Sequence, residues 1–216
     1  MRPIFLQVTS EDPEHLGMIR DNLRRHLAYC EKWGYKYEHL IIPDFTPWKR
    51  LRAILDRLGE YSHVFCMDSD VFVANFNYNM RSTLPDWSFY AATIHPYPWR
   101  EQRVFHVQCG GFYFRDTRRS SHFIHDVLRY EHTMEDDQSA VNHILLGYPS
   151  LNYQDGFNIL PCSWNQTVQD CDFETSAPIV AAFHGTPVDI GGGEISYEAK
   201  YRRILMRKYA ERFPYE

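Results

Sequence analysis

Cysteine is scarce and unpatterned in this chain. Its 216 residues include 5 Cys with no CxxC pair, which argues against a zinc ribbon or a dense disulfide framework. Cys30, Cys66 and Cys109 sit inside apolar segments, where small core thiols are expected. Cys162 and Cys171 flank a polar loop and could pair, although the odd total and wide spacing favour a reducing compartment. Long apolar runs are missing as well. No stretch is long enough to span a bilayer, and the N-terminus shows neither an apolar signal region nor a small-residue cleavage site. The expectation is a soluble, cytoplasmic protein without a transmembrane segment; a Golgi-lumen location would need an anchor that this sequence lacks. Positive charge is not in excess either. With 23 Lys and Arg against 28 Asp and Glu, the formal net charge is −5, which gives no reason to expect a nucleic-acid partner.

What remains is an ordinary globular mixture, 44% hydrophobic and 24% charged, of a length suited to one domain with a sizeable core. Aromatic residues reach 16%; some belong to that core, and Tyr and Trp also line clefts that hold rings and sugars. There is no internal repeat and no domain linker.

Residues 4–8, IFLQV, read as a strand, and Asp12 and Pro13 open a helix over 13–32 whose Leu16, Ile19, Leu23, Leu27 and Cys30 recur at helical spacing. Gly34 ends it. A second strand covers 35–42, and a second helix starts near Thr46-Pro47 and buries Trp48, Leu51, Ile54, Leu55 and Leu58. A third strand covers 63–67. This alternation predicts a parallel α/β sheet with helices on both faces. Further on, 88–93, 111–116 and 178–183 read as strands and 117–131 and 135–146 as helices. The stretch 185–193 reads as a flexible loop and 194–211 as a terminal helix.

The chemistry gathers where the third strand ends. In VFCMDSDVF, residues 64–72, an apolar run closes on Asp68, Ser69 and Asp70, and in open parallel sheets the ligand site lies beyond the carboxyl ends of the strands. Paired carboxylates there suit Mg²⁺ or Mn²⁺, and a diphosphate can complete the shell. A surface turn capped by Asp is the plain alternative. His184, in AAFHG after the last core strand, can add an imidazole ligand or remain solvated. Glu135 to Gln138 open a short helix. Asp136 and Asp137 there either cap it or enter the cleft, where Gln138 could bond sugar hydroxyls. Gly110 and Gly111 permit close backbone approach to a ligand, or simply a turn. Lys49 and Arg50 carry positive charge on the second helix, for a diphosphate or for solvent. The aromatic loop HPYPW, 95–99, is a candidate acceptor wall or a packing element.

Taken together, PWKRLRAILDRL, VFCMDSDVFV, CGGFYFRD, EDDQSAVNHILL and AFHG, spanning about 47–185, resemble the GT-A glycosyltransferases, and most closely the retaining family 34 xylosyl- and galactosyltransferases. The resemblance implies a single GT-A-like catalytic domain over 1–216, with nucleotide-sugar binding in about 1–116 and acceptor and catalytic parts in about 117–216. It implies a UDP-sugar donor, a glycan or other hydroxyl acceptor, and Mn²⁺ or Mg²⁺ held by Asp68, Asp70 and His184. Ser69 would sit by the ribose, Thr9 in the region of the base, Lys49 near the donor, and Asp136, Asp137 and Gln138 beside the transferred sugar. The chain departs from the family in lacking an anchor and stem, and in running GTPVDIGGG where a lysine often follows the metal-binding His; it is also short, so acceptor-binding additions are expected to be either reduced or supplied by another domain fused to it. The competing classes are a non-catalytic nucleotide-sugar-binding module and an aspartyl phosphatase. The latter usually places D-x-D-x-T after its first strand, not its third.

Overall fold

The structure, a computed structural model, describes residues 1–96, 105–147, 153–167, 178–183, 188–191, 194–196 and 198–213. Strand β1 (Ile4–Thr9) is buried along its whole length. Its side chains alternate, so Ile4, Leu6 and Val8 enter one core and Phe5 the core on the opposite face. Helix α1 (Pro13–Trp33) starts where Asp12 accepts backbone N–H bonds from Glu14 and His15 at 2.9 and 3.0 Å. It stops at Gly34, whose φ of +72° suits a residue without Cβ. Strand β2 (Lys36–Ile41), helix α2 (Pro47–Arg57) capped by Thr46, and strand β3 (His63–Met67) follow as the alternation predicts.

Both β2 and β3 pair with β1 in parallel, one on each edge. The sheet therefore changes its direction of growth at β1, and a crevice opens at the carboxyl ends of β1 and β3. After the short β4 (Val71–Val73) come β5 (Tyr90–Pro96), β6 (Phe105–Val107), β7 (Gly111–Arg115) and later β8 (Phe157–Leu160). The sheet order is β2-β1-β3-β7-β5-β6, with β8 also on β5. β7 lies antiparallel between β3 and β5, and β6 is antiparallel to β5. The other strands share the direction of β1, so the central sheet is mostly parallel, as expected.

One face is covered by α2, α3 (Arg118–Leu128) and α4 (Asp137–Asn142), whose Leu51, Phe123 and Val141 pack on Leu6, Val64 and Phe114. The other face receives Tyr29 and Cys30 of α1 and a small second sheet, β4-β10-β9, made with β9 (Gln166–Thr167) and β10 (Val180–Ala182). Helix α5 (Ala199–Ala210) closes the back of that layer, with Met206 and Tyr209 against Phe72 and Phe183. Arg25 of α1 ties these pieces together by donating to Val73 O, Ala210 O and Phe213 O. Ala210 O is one of the carbonyls left over at the end of α5.

Several boundaries differ from the sequence reading. The 185–193 stretch is not simply a loop: β11 (Val188–Gly191) pairs antiparallel with β12 (Glu194–Ser196), and this pairing takes the backbone groups that a helix from 194 would need. The terminal helix therefore begins at Ala199. The 135–146 helix is α-helical over 137–142 and continues as a wider π turn over 143–147. The helix expected over 117–131 ends at Leu128 in a series of turns. Cys30, Cys66 and Cys109 are buried free thiols and Cys162 is an exposed one; Cys171 and most of the 95–99 loop lie outside the described residues. Among the described residues, no helix is long and apolar enough to cross a membrane.

Two buried imidazoles make the fold pH-sensitive. Burial, aided by the Arg25 charge, pushes His26 down to about 3, and burial with Arg81 and Arg115 pushes His63 down to about 4. The unfolded chain titrates both near the ordinary value of about 6.5, so below that pH it binds more protons than the native state and stability falls towards the folded values. At pH 5 the fully buried His26 should cost about 2 kcal/mol relative to pH 7, and His63 less. In urea titrations, His26→Gln should shrink the difference between pH 7 and pH 5 by that amount, and an unchanged difference would refute the assignment.

Candidate functional site

At the carboxyl ends of β1 and β3 lies a cleft of about 230 Å³. Val8, Thr9 and Ser10 line it from β1, Phe45, Pro47 and Arg50 from the entry to α2, and Asp68, Ser69 and Asp70 from the β3–β4 turn; His15 of α1 and Arg202 of α5 close its sides. Three backbone bonds fix the acidic turn. Asp68 N–H donates to Gly110 O at 3.0 Å, Val71 N–H to Asp68 O at 3.2 Å, and Phe183 N–H to Asp70 O at 3.0 Å. The chain needs this turn because β3 belongs to the main sheet and β4 to the small one, so the acidic triplet is where it changes sheets.

The electrostatic centre is Arg50. Its Nη1 bonds Asp68 Oδ1 and its Nη2 bonds Asp137 Oδ2 at 2.7 Å. The guanidinium also lies 4.8 Å from the centroid of the Phe112 ring, a favourable stacking of cation on π face. The arginine and Asp137 side chains are 7% and 3% exposed, whereas Asp68 keeps 25%. Burial by itself would lower the Arg50 pKa, but Asp137 first and Asp68 next hold it well above the ordinary arginine value. Asp137 is thus joined to the acidic triplet through a shared cation, although it does not itself line the cleft.

The other sequence candidates separate clearly. Asp136 serves as the cap of α4, with its Oδ1 accepting from Ser139 N–H at 2.7 Å. Gln138 Oε1 accepts from Cys109 N–H at 3.0 Å and so steadies the 109–111 backbone, from which Gly110 holds Asp68. A Cβ on Gly111 would come within 2.9 Å of Tyr113 Oη, which supplies a packing reason for that glycine. Thr9 and Ser69 line the cleft, and the buried Thr9 hydroxyl has no hydrogen-bond partner among the described residues. Lys49 turns away from the cleft, donating from Nζ to Pro43 O at 2.8 Å, and Arg50 is the inward cation of that pair. His184 lies outside the described residues, directly after Phe183. His15 and Arg202 were not signalled by the sequence. Arg202 Nη1 donates to Asp70 Oδ2 at 2.6 Å, a contact between residues 132 positions apart that no local pattern marks.

A divalent cation is compatible with this donor set. Asp68 and Asp70 offer hard carboxylate oxygens at one cleft wall, and each is already balanced by a guanidinium, Arg50 and Arg202 respectively. Among the described residues no group of three or more His, Cys, Asp or Glu could hold a metal by itself.

No protein-family model matches the sequence, and no curated protein matches it. Solved structures do. A glycosyltransferase involved in glycosylation of the major capsid of PBCV-1 superposes with a TM-score of 0.70 at 15% identity, over 96% of this chain and 100% of the other. The galactosyltransferase LgtC, solved with donor and acceptor sugar analogues, gives 0.58 at 12% identity over 98% and 96% of the two chains. The glycosyltransferase GlyE of Streptococcus pneumoniae TIGR4 gives 0.58 at 12% identity over 97% of this chain and 60% of the other. The fold is that of the GT-A glycosyltransferases.

Truncating Arg50 should reveal how much the site depends on it. Arg50→Ala leaves the Asp137 carboxylate buried without its cation, and such a loss costs about 3–5 kcal/mol. Urea titration should show that loss in the single variant and a smaller one in Arg50→Met/Asp137→Leu, where the buried carboxylate is gone and only the quarter-exposed Asp68 loses the Arg50 cation.

Proposed function

We propose that the chain is a metal-dependent glycosyltransferase that moves a sugar from a UDP-sugar to a hydroxyl of a glycan acceptor with retention at the anomeric carbon. One observation carries the reading. The acidic triplet Asp68-Ser69-Asp70 and the β1 terminus at Thr9 share one cleft at the sheet's switch point, and Arg50 links that triplet to Asp137. A crevice at that position of an α/β sheet is where nucleotides bind.

Asp68 and Asp70, with His184, would hold Mn²⁺ or Mg²⁺. Phe183 N–H bonds Asp70 O, so the chain reaches the acidic turn one residue before His184. Bound there, the cation would stabilise the charge gathering on the departing diphosphate. The Thr9 hydroxyl and Ser69 suit the base and ribose, and Val8 and Phe45 give that part of the cleft an apolar wall. Lys49, bonded to Pro43 O on the outer side of α2, reinforces the positive field from a distance. The inner cation, Arg50, holds Asp68 and Asp137 in register.

Asp137 faces Arg50 at 2.7 Å and is almost solvent-free. That setting suits a fixed negative group favouring positive charge on the transferred sugar better than it suits a nucleophile. The acceptor oxygen bonds to the anomeric carbon as the bond to the leaving phosphate breaks on the same face, and the acceptor proton passes to the leaving phosphate oxygen. Gln138 and the cap residue Asp136 keep α4 and the 109–111 backbone in place beside that centre.

Calorimetry with UDP-glucose, UDP-galactose, UDP-xylose and UDP-rhamnose, with and without Mn²⁺, tests the donor and the metal together. Asp70→Asn should weaken metal-supported UDP binding about 10-fold or more. Asp137→Asn should lower turnover about 10²-fold with UDP affinity nearly unchanged. Donor binding that survives chelation undiminished would sink the metal-dependent reading, and a product of inverted anomeric configuration would sink retention.

A further inference from the structure

Arg202 reaches the cleft from α5, a helix secured without it. Arg203 and Arg207 both bond Asp21, each with a contact of 2.7 Å, and Gly17 leaves room for Arg203, whose Cζ would lie 2.3 Å from a Cβ there. Met206 and Tyr209 pack into the core on the far side. Arg202 is therefore a cleft-facing side chain on a helix that other contacts hold in place. Its Nη1 bonds Asp70 Oδ2 at 2.6 Å, its Nη2 is 3.5 Å from His15 Nε2, and its buried Nε has no hydrogen-bond partner among the described residues.

We propose that Arg202 is an exchangeable counter-ion. It neutralises Asp70 while the cleft holds neither cation nor nucleotide, and it transfers to the diphosphate of the donor when a divalent cation takes Asp70. This rests on the metal and nucleotide reading above. The Asp70 side chain is 8% exposed and that of Arg202 16%, so neither charge is well solvated and each needs a partner. A guanidinium and a divalent cation repel each other across a single carboxylate, so the cation displaces Arg202. The displaced group then needs an anion within reach of its own helix. A diphosphate bound beside the cation is that anion, and the planar fork of an arginine matches phosphate oxygens.

Two of the Arg202 nitrogens are lightly used or unused, which leaves donors available for this exchange. The neighbouring cations are differently committed: Arg50 is clamped by two carboxylates and Lys49 bonds Pro43 O. Cation and nucleotide should consequently bind with positive coupling, because whichever arrives first helps to break the Asp70–Arg202 pair for the other. The coupling must be the same in either order.

Titration calorimetry of Mn²⁺ alone, UDP alone, and UDP in saturating Mn²⁺ separates the outcomes. In Arg202→Ala, Mn²⁺ alone should bind about 10-fold more tightly, because Arg202 no longer competes for Asp70. UDP in Mn²⁺ should bind about 10-fold more weakly, because its guanidinium partner is gone. Arg202→Gln, uncharged and of similar shape, should give the same pair of shifts and serves if the alanine variant does not fold. Weaker UDP binding without tighter Mn²⁺ binding would overturn the exchange, as would tighter Mn²⁺ binding with UDP unaffected, or no change in either. Wild-type protein that binds no UDP in any of these titrations would instead overturn the nucleotide reading on which the exchange rests.

Discussion

A guanidinium removed from water must be met by carboxylates, and Arg50 is met by two from distant parts of the chain. Asp68 comes from the turn after β3 and Asp137 from the first turn of α4. The guanidinium itself lies over the Phe112 ring, and without it the Asp137 carboxylate would be left buried with no cation. The pairing fixes the position of α4 relative to the sheet and brings together the two acidic motifs that carry the proposed chemistry. The same contact that stabilises this corner of the fold also determines where charge lies in the cleft.

The location of the cleft follows from strand order. Placing β2 and β3 on opposite edges of β1 leaves their following segments diverging to either side, and the space between has no strand to fill it. Phe45 and Pro47 border that space from one side. On the other side the chain leaves the main sheet for the β4-β10-β9 layer, braced by Arg25 through Val73 O and by α5 through Phe72 and Phe183. The acidic turn is therefore pinned at both ends, while its carboxylates remain at the wall of the cleft.

The acidic triplet and its position after a buried strand were legible in the sequence because both are local properties. Four apolar residues, Val64 to Met67, all buried in the structure, lead straight into Asp68. Asp136 as a helix cap was equally legible, since capping depends on residues within one turn. The choice between Lys49 and Arg50 was not. They are adjacent on α2, both cationic, and only the helix's rotation on the sheet turns one towards Asp68 and the other towards Pro43 O. Arg202 was less accessible still, since it stands in a helix rich in arginine where two others, Arg203 and Arg207, pair with Asp21 on α1.

By itself, then, the sequence determined the alternation of strands and helices through residue 67, most of the buried face of α2, and the acidic turn that ends β3; on α1 the leucine periodicity misplaced the face, since Leu27 is 45% exposed while Asn22, Arg25, His26 and Tyr29 are buried. Those features depend on side-chain periodicity and on capping, which act over a few residues. Tertiary structure decided the antiparallel insertion of β7 between β3 and β5, the pairing of β11 with β12, and the assignment of each arginine to its carboxylate. The physical reason is range. Strand neighbours and buried ion pairs are selected by how well whole layers pack and by which charges are left without water, and neither is encoded in any single segment.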